Sequence, residues 1–255
     1  MGTDKFGKEM CTNLLAAGCN VSGVKSIDGD SGVALIMVVE SGENSVVVVP
    51  GANFRYLPLD LRADGHRMAK AQYVLLQLEI PLDTVIAAAQ LAKSQGAKVI
   101  LDPAPAPRSL PHELLQTIDI LTPNEAEATK LVGRPVDSLT MKEAAYVSKE
   151  LQSAGAKTVI IKLRAQGCLL AEGDSATCIP APPVDVVDTT GAGDVFNGAL
   201  AVACSEGASL IDACRFAVRA AARSVTCLGA QRSVPSRTEL NAFPPTGDPI
   251  TLDRA

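Results

Sequence analysis

Between residues 73 and 162, short runs rich in Val, Ile and Leu alternate with longer segments whose apolar residues recur at helical spacing. Tyr73–Leu76, residues 97–101, residues 118–121 and Thr158–Lys162 read as strands. Leu82–Ser94, Glu125–Leu131 and residues 141–154 read as the helices between them. Strands that are apolar along their whole length need cover on both faces, and interposed helices supply it. The pattern predicts an α/β fold: a mostly parallel, doubly wound sheet flanked by helices. The start of the chain breaks this rhythm. Residues 31–39 and 44–50 are two strand-like runs around Glu40-Ser41-Gly42-Glu43, a candidate hairpin outside the alternating pattern. Helical patterns return over residues 193–228, and the last dozen residues, 244–255, carry three prolines and read as a loose tail. No internal repeat or low-complexity linker divides the chain, so one domain over residues 1–243 is expected.

Composition narrows the function. A net charge of −5, 3% aromatics and no Trp leave neither a basic footprint nor stacking platforms for nucleic acid. The longest apolar runs are too short to span a bilayer, and Met1-Gly2-Thr3-Asp4-Lys5 lacks the design of a secretory signal. Seven cysteines without a Cys-x-x-Cys pair, and only two histidines, argue against a disulfide scaffold or structural zinc. These features fit a soluble protein of a reducing compartment, the cytoplasm. A Gly-x-x-x-x-Gly-Lys-[Ser/Thr] loop, a Gly-x-Ser-x-Gly elbow and a Gly-x-Gly-x-x-Gly fingerprint are all absent, which disfavours Walker-type ATPases, serine hydrolases and dinucleotide enzymes.

The strongest local signal runs from Val187 to Leu200: Val-Asp-Thr-Thr-Gly-Ala-Gly-Asp-Val-Phe-Asn-Gly-Ala-Leu. Small residues lead from an extended segment straight into an apolar helical pattern. The unpaired amides and dipole of such a helix start favour an anion, and Gly191 and Gly193 let it approach the backbone. Asp194 stands at this positive end. It is either an N-capping carboxylate or a base that takes the proton of a hydroxyl attacking a phosphoryl group.

Asp-Thr-Thr-Gly-Ala-Gly-Asp followed by Phe-Asn-Gly resembles the C-terminal signature of the ribokinase-like (PfkB-type) sugar kinases. Further segments resemble the family in the family's order: Gly51-Ala52-Asn53, Gln77-Leu78-Glu79, Asp102-Pro103-Ala104-Pro105-Ala106, Thr122-Pro123-Asn124-Glu125-Ala126-Glu127, and Leu228-Gly229-Ala230-Gln231-Arg232-Ser233-Val234-Pro235. The resemblance implies ATP-dependent phosphorylation of a sugar, D-ribose by preference, with Asp194 as base and Gly191, Ala192 and Gly193 as anion hole. It makes Asn124 and Glu127 holders of Mg²⁺ and phosphate, probed against the plainer reading of a helix cap and a solvated acid. Glu79 corresponds to a ribose-contacting acid, with a solvated loop charge as the alternative. Lys162, Leu163, Arg164, Ala165, Gln166 and Gly167 match the segment that passes along the nucleotide. The family often has a small Thr-Leu-Gly-type run there; here Lys162 and Arg164 either bind phosphate or are surface charges. Asp188, Thr190, Ser224, Cys227, Gly229 and Ser233 fall on the positions that hold K⁺ in the family, Asp188 otherwise being a turn residue. Val218 takes a position where many relatives carry Asn near the adenine.

The chain also departs from the family. Gly2-Thr3-Asp4-Lys5-Phe6-Gly7 resembles a Gly-x-Asp-x-Phe-Gly segment that lies several tens of residues into relatives. The strand with a sugar-binding Asp, the first lid strands and the Gly-Gly-x-Gly-x-Asn motif that precede it in the family are not found in this sequence. A chain without them is expected to have half a sugar pocket, an incomplete lid for homodimerisation and lower stability than a longer version. The open alternatives are a kinase for another sugar or nucleoside, and a catalytically inactive nucleotide-binding relative.

Overall fold

A computed structural model describes residues 1–38, 44–63, 65–134, 136 and 138–252. Helix α1 (Lys5–Ala16) opens the chain, with Asp4 as N-cap accepting the Gly7 amide at 2.9 Å. Strands β1 (Val33–Val38) and β2 (Asn44–Val49) pair antiparallel as a two-stranded sheet of their own, as the sequence predicts; the tetrapeptide proposed as their turn lies outside the described residues. Two 3₁₀ turns, Gly51–Arg55 and Pro58–Ala63, and the short α2 (Gly65–Met68) lead into the main body.

There the order is β3 (Tyr73–Leu76), α3 (Leu82–Ser94), β4 (Lys98–Leu101), α4 (His112–Thr117), β5 (Ile120–Leu121), α5 (Glu125–Leu131), α6 (Met141–Ser153) and β6 (Thr158–Lys162). Strands β7 (Cys168–Glu172) and β8 (Ser175–Ile179) follow, then α7 (Ala192–Ser205), α8 (Leu210–Ser224), α9 (Arg237–Ala242) and β9 (Ile250–Leu252). The seven strands β3 to β9 lie side by side in chain order. Strands β3 to β6 are parallel, while β7, β8 and β9 add on antiparallel, so the sheet is mixed, with its parallel half where the alternating pattern predicts it.

Alternation along the strands sorts the core into two layers. Leu101, Leu121, Val159 and Ile161 face α3 to α6, packing with Val85, Leu114 and Leu151. Ile100, Ile120 and Ile160 face the other way, against Phe196 and Leu200 of α7 and Ala213, Cys214 and Ala217 of α8. The helical stretch 193–228 is thus two helices, broken at Gly207, whose φ of +86° suits glycine.

The loose tail needs correcting. Ile250–Leu252 pairs with Ala176–Cys178 as the last strand of the sheet, and buried Thr246 accepts a hydrogen bond from Arg215 Nε at 3.2 Å. Prolines bar strand structure at 244–249 but leave Ile-Thr-Leu free to join an open edge, a pairing no local pattern announces. Among the described residues no helix is long and apolar enough to cross a membrane.

Candidate active site

Parallel strands end together, so the residues just past their carboxyl ends converge, and open α/β sheets bind ligands there. Here that edge gathers Glu79 after β3, Asp102 after β4, Asn124 after β5 and Lys162 closing β6. Helix α7 approaches the same edge N-terminus first. Its N-cap Gly191 is left-handed (φ 77°, ψ 2°) and no side chain caps the helix; the Ala192 amide donates to the Thr189 carbonyl at 3.2 Å. A Cβ at Gly191 would sit 3.1 Å from the Ala230 methyl, so the turn also needs glycine for space.

A buried polar cluster lies behind this helix start. Asp102, 5% exposed, accepts through Oδ2 both the Lys162 ammonium at 2.5 Å and the Asn197 amide at 2.6 Å. Lys162 Nζ in turn stands against the first turn of α7: a Cβ at Gly193 would lie 3.3 Å from it. Asp194, on the next residue, opens to solvent. The protein packed around its carboxyl, followed by the charge of Asp102, raises its pKa above the ordinary carboxylate value, while Lys162 pulls it down. Glu79 is likewise pushed up, first by desolvation and then by Asp194 and Asp102, although its surface is open to water. Asp194 and Glu79 therefore hold their protons more tightly than ordinary carboxylates do.

Asn124 caps α5 in a reciprocal box: its Oδ1 accepts the Glu127 amide at 2.9 Å, and Glu127 Oε2 accepts the Asn124 amide at 2.8 Å. Burial raises the Glu127 pKa, the Asn124 amide opposing. The plainer reading of Asn124 as a helix cap therefore holds, whereas Glu127 is a half-buried member of the box rather than a solvated acid, with one carboxylate oxygen outside it. Among the described residues no group of three His, Cys, Asp or Glu is placed to hold a metal directly.

In the segment after β6, side chains are engaged by the protein itself. Leu163 is 1% exposed and packs in the core, so only its backbone can face a nucleotide. Arg164, at φ 49°, is exposed and pairs its guanidinium with buried Glu125 at 3.2 Å. Ala165 is exposed, and Gln166 donates to the Leu139 carbonyl at 3.1 Å. Gly167 is required by contact: a Cβ there would meet the Ile179 carbonyl oxygen at 2.0 Å. Val218, 4% exposed, belongs to the core under α8.

The six residues matched to a monovalent cation come from two loops that the fold does bring together. The amides of Val187 and Asp188 both donate to the Val225 carbonyl, at 2.8 and 3.2 Å. Asp188 accepts the Thr190 amide at 2.9 Å and the Gly229 amide at 2.8 Å, and the Thr190 hydrogen bond first among these holds its pKa below the usual range. Ser224 and Ser233 are buried and donate to Ala221 and Ala230 carbonyls, while Cys227 Sγ accepts from Arg223 at 2.7 Å. A cavity of about 420 Å³ continues from Gly191 and Asp194 along α7, past Gly198 and Val202, to Phe216 and Leu240.

Asp102 and Asn197 carry the centre of this arrangement, yet sequence reasoning quoted both inside motifs and gave neither a role. The available signals were a lone amide in an otherwise apolar helical stretch, three residues after Asp194, and an acid directly following a buried strand.

Residues 1–237 match the model of the pfkB family carbohydrate kinases. The chain is 39% identical to the ribokinase of Haemophilus influenzae over 244 residues, covering 95% of this chain and 79% of that protein. It is 35% identical to the deoxyribokinase of Salmonella typhi, with the same coverages. Among solved structures it superposes on Arabidopsis thaliana ribokinase complexed with ribose and ATP with a TM-score of 0.86 at 35% identity, covering 95% of this chain and 79% of that one. The glycine-led helix start with its acid, set against the ends of parallel strands, thus occurs in a chain that belongs to the pfkB family of carbohydrate kinases.

Proposed function

We propose that this protein transfers the γ-phosphoryl group of ATP to the primary hydroxyl of D-ribose, giving D-ribose 5-phosphate and ADP. The observation that carries the reading is Asp194: a carboxylate of raised proton affinity, on the first turn of a helix no side chain caps, next to Gly193, which faces the Lys162 ammonium. The sugar hydroxyl oxygen attacks the γ-phosphorus, its proton passes to Asp194, and the bond from the γ-phosphorus to the β,γ-bridging oxygen breaks, leaving ADP. The amides of Gly191, Ala192 and Gly193 receive the charge that builds on the transferring group. Glu79 contacts ribose, and the backbone from Lys162 to Gly167 runs along the nucleotide with Asn124 nearby. Ribose is chosen because the H. influenzae and A. thaliana relatives are ribokinases; the deoxyribokinase makes 2-deoxyribose the competing substrate.

Two cations complete the reading. The free Glu127 oxygen, with Asn124 tied into its cap, suits Mg²⁺ held through water, since this ion dehydrates reluctantly. Mg²⁺ would neutralise the ATP phosphates. Asp188, kept ionised and fixed by two amides, suits K⁺ together with oxygens from Thr190, Ser224, Cys227, Gly229 and Ser233. K⁺ would add positive potential behind the anion hole. A homodimer through the β1–β2 hairpin and a cytoplasmic setting belong to the same proposal. They are supported by exposed Leu35, Met37, Val47 and Val49, and by seven free cysteines. Coupled-assay ADP release with D-ribose, 2-deoxy-D-ribose, D-fructose and adenosine tests the substrate. Turnover highest with ribose is expected; preference for another acceptor reassigns it, and binding of ATP without turnover of any acceptor refutes the kinase reading.

A further inference from the structure

The Asp102 cluster is more than a buried ion pair that happens to lie near the site. Its three members come from three separate elements: the end of β4, the end of β6 and the second turn of α7. Asp102 Oδ2 takes both donors, so Asp102 Oδ1 and Asn197 Oδ1 remain buried without a hydrogen-bond partner. Buried polar atoms left in this way are rare and costly, and they concentrate where a fold serves a ligand. The geometry says what is served. Lys162 is 14% exposed at its side chain, and its ammonium is held on the side where a methyl on Gly193 would point. Asn197 sits three residues after Asp194, so the same carboxylate that fixes the ammonium also fixes the turn bearing the base.

We propose that Asp102 is a positioning residue for phosphoryl transfer, holding the Lys162 ammonium at the anion hole and, through Asn197, fixing the first turn of α7 that presents Asp194. This rests on the phosphoryl-transfer reading above. An unanchored lysine would swing toward the bound phosphates or toward solvent; anchored, it meets the charge that develops on the transferring group without reorganising. Asp102 also acts as a local negative charge. The charged groups facing Asp194 are Asp102 beyond β4, Glu79 beyond β3 and Lys162 ending β6, and Glu127 of α5 faces Asp102 and Lys162 in turn. Losing the charge of Asp102 removes a like-charged neighbour from the base.

The variants are Asp102→Asn, which keeps an acceptor for Asn197 but loses the charge, Lys162→Met, and the pair together. Asp102→Asn is expected to lower kcat by about 10²-fold, as small misplacements in active sites do, with KM for ATP unchanged or lower. The acid limb of its kcat/KM profile moves to lower pH. Lys162→Met raises KM for ATP, and adding Asp102→Asn to it produces no further loss, because the second residue acts through the first. Additive losses, an unmoved acid limb or wild-type kcat in Asp102→Asn would each overturn the proposal. If Asp102→Asn does not fold, the double variant, which leaves no unpaired ammonium, replaces it in the comparison with Lys162→Met. Calorimetric titration with Mg·ATP separates the two claims: should the wild type bind ATP but phosphorylate no sugar, the kinase reading fails. Equal ATP affinity in the wild type and Lys162→Met would then overturn the positioning role, and weaker affinity in Lys162→Met with undiminished affinity in Asp102→Asn sustains it.

Discussion

Gly193→Ala should make the protein more stable and less active. Gly193 is the second residue of α7 and does not adopt a positive φ, so its backbone accepts any side chain. Replacing a helical glycine by alanine gains about 0.5–1 kcal/mol by restricting the unfolded chain. The added methyl meets a single atom from elsewhere in the protein within 4 Å, the Lys162 nitrogen at 3.3 Å, which ends a flexible side chain and can yield a few tenths of an ångström. For a domain of this size the gain corresponds to a rise in Tm of about 1–4 °C. The same methyl, however, stands between the ammonium and the amides that should receive the phosphoryl group. Obstructing such a hole costs about 10²–10³-fold in kcat when a single donor is lost, and a comparable loss is expected here. Differential scanning calorimetry and a coupled kinase assay on one preparation measure both. Gly198→Ala, mid-helix with no neighbouring atom within 4 Å of its new Cβ, sets the propensity scale for stability alone. Retention of wild-type kcat by a more stable Gly193→Ala would refute the placement of the anion between Lys162 and the α7 amides.

Other expectations follow from the same geometry. Gly167→Ala places a methyl 2.0 Å from the Ile179 oxygen at a φ of +94°, and should cost at least about 3 kcal/mol, read as a fall in Tm of about 6 °C or more. Asp194→Asn should raise Tm at neutral pH. A carboxyl whose folded pKa is raised destabilises the native state once ionised, so the advantage of Asn should shrink as pH falls through the raised value of Asp194. In the wild type, kcat/KM should fall on acidification through that same value, above the usual range for aspartate, because the base must be ionised. Asp188→Ala should remove the stimulation of turnover by K⁺ over Na⁺ while leaving the CD spectrum unchanged, since the Asp188 carboxylate is bonded within its own two loops, by Thr190 and by the Gly229 amide.

How far the sequence reveals this molecule depends on how local each feature is. Strands β3 to β6 are apolar throughout because both faces are covered, and their runs stand out from the helices between them. Strands β7 and β8 mix Cys, Ala, Ser and Thr with Leu and Ile, a composition without a clear period, so the antiparallel half of the sheet was not visible. Strand β9 forms because β8 offers an edge, not because Ile-Thr-Leu demands it. The site divides in the same way. Asp194 and its glycines are contiguous and readable as a helix start. The Asp102–Lys162 pair spans 60 residues and exists only because β5 sets β4 and β6 one strand apart in the sheet. From sequence Arg164 reads as either a phosphate ligand or a surface charge; in the fold it is exposed and pairs with Glu125, 2% exposed, a partner no local pattern announces. Leu163 follows strand periodicity into the core, so its side chain is not open to a ligand.

The central claim is that Asp194 is the base of a ribose kinase, and turnover tests it most directly. Purified wild type and Asp194→Asn should be compared for ADP release with and without D-ribose, in Mg²⁺ and K⁺, with ATP affinity measured alongside. Ribose-dependent turnover is expected in the wild type, reduced about 10²–10⁴-fold by the substitution with ATP affinity preserved. Ribose-dependent turnover that survives Asp194→Asn at the wild-type rate would contradict it.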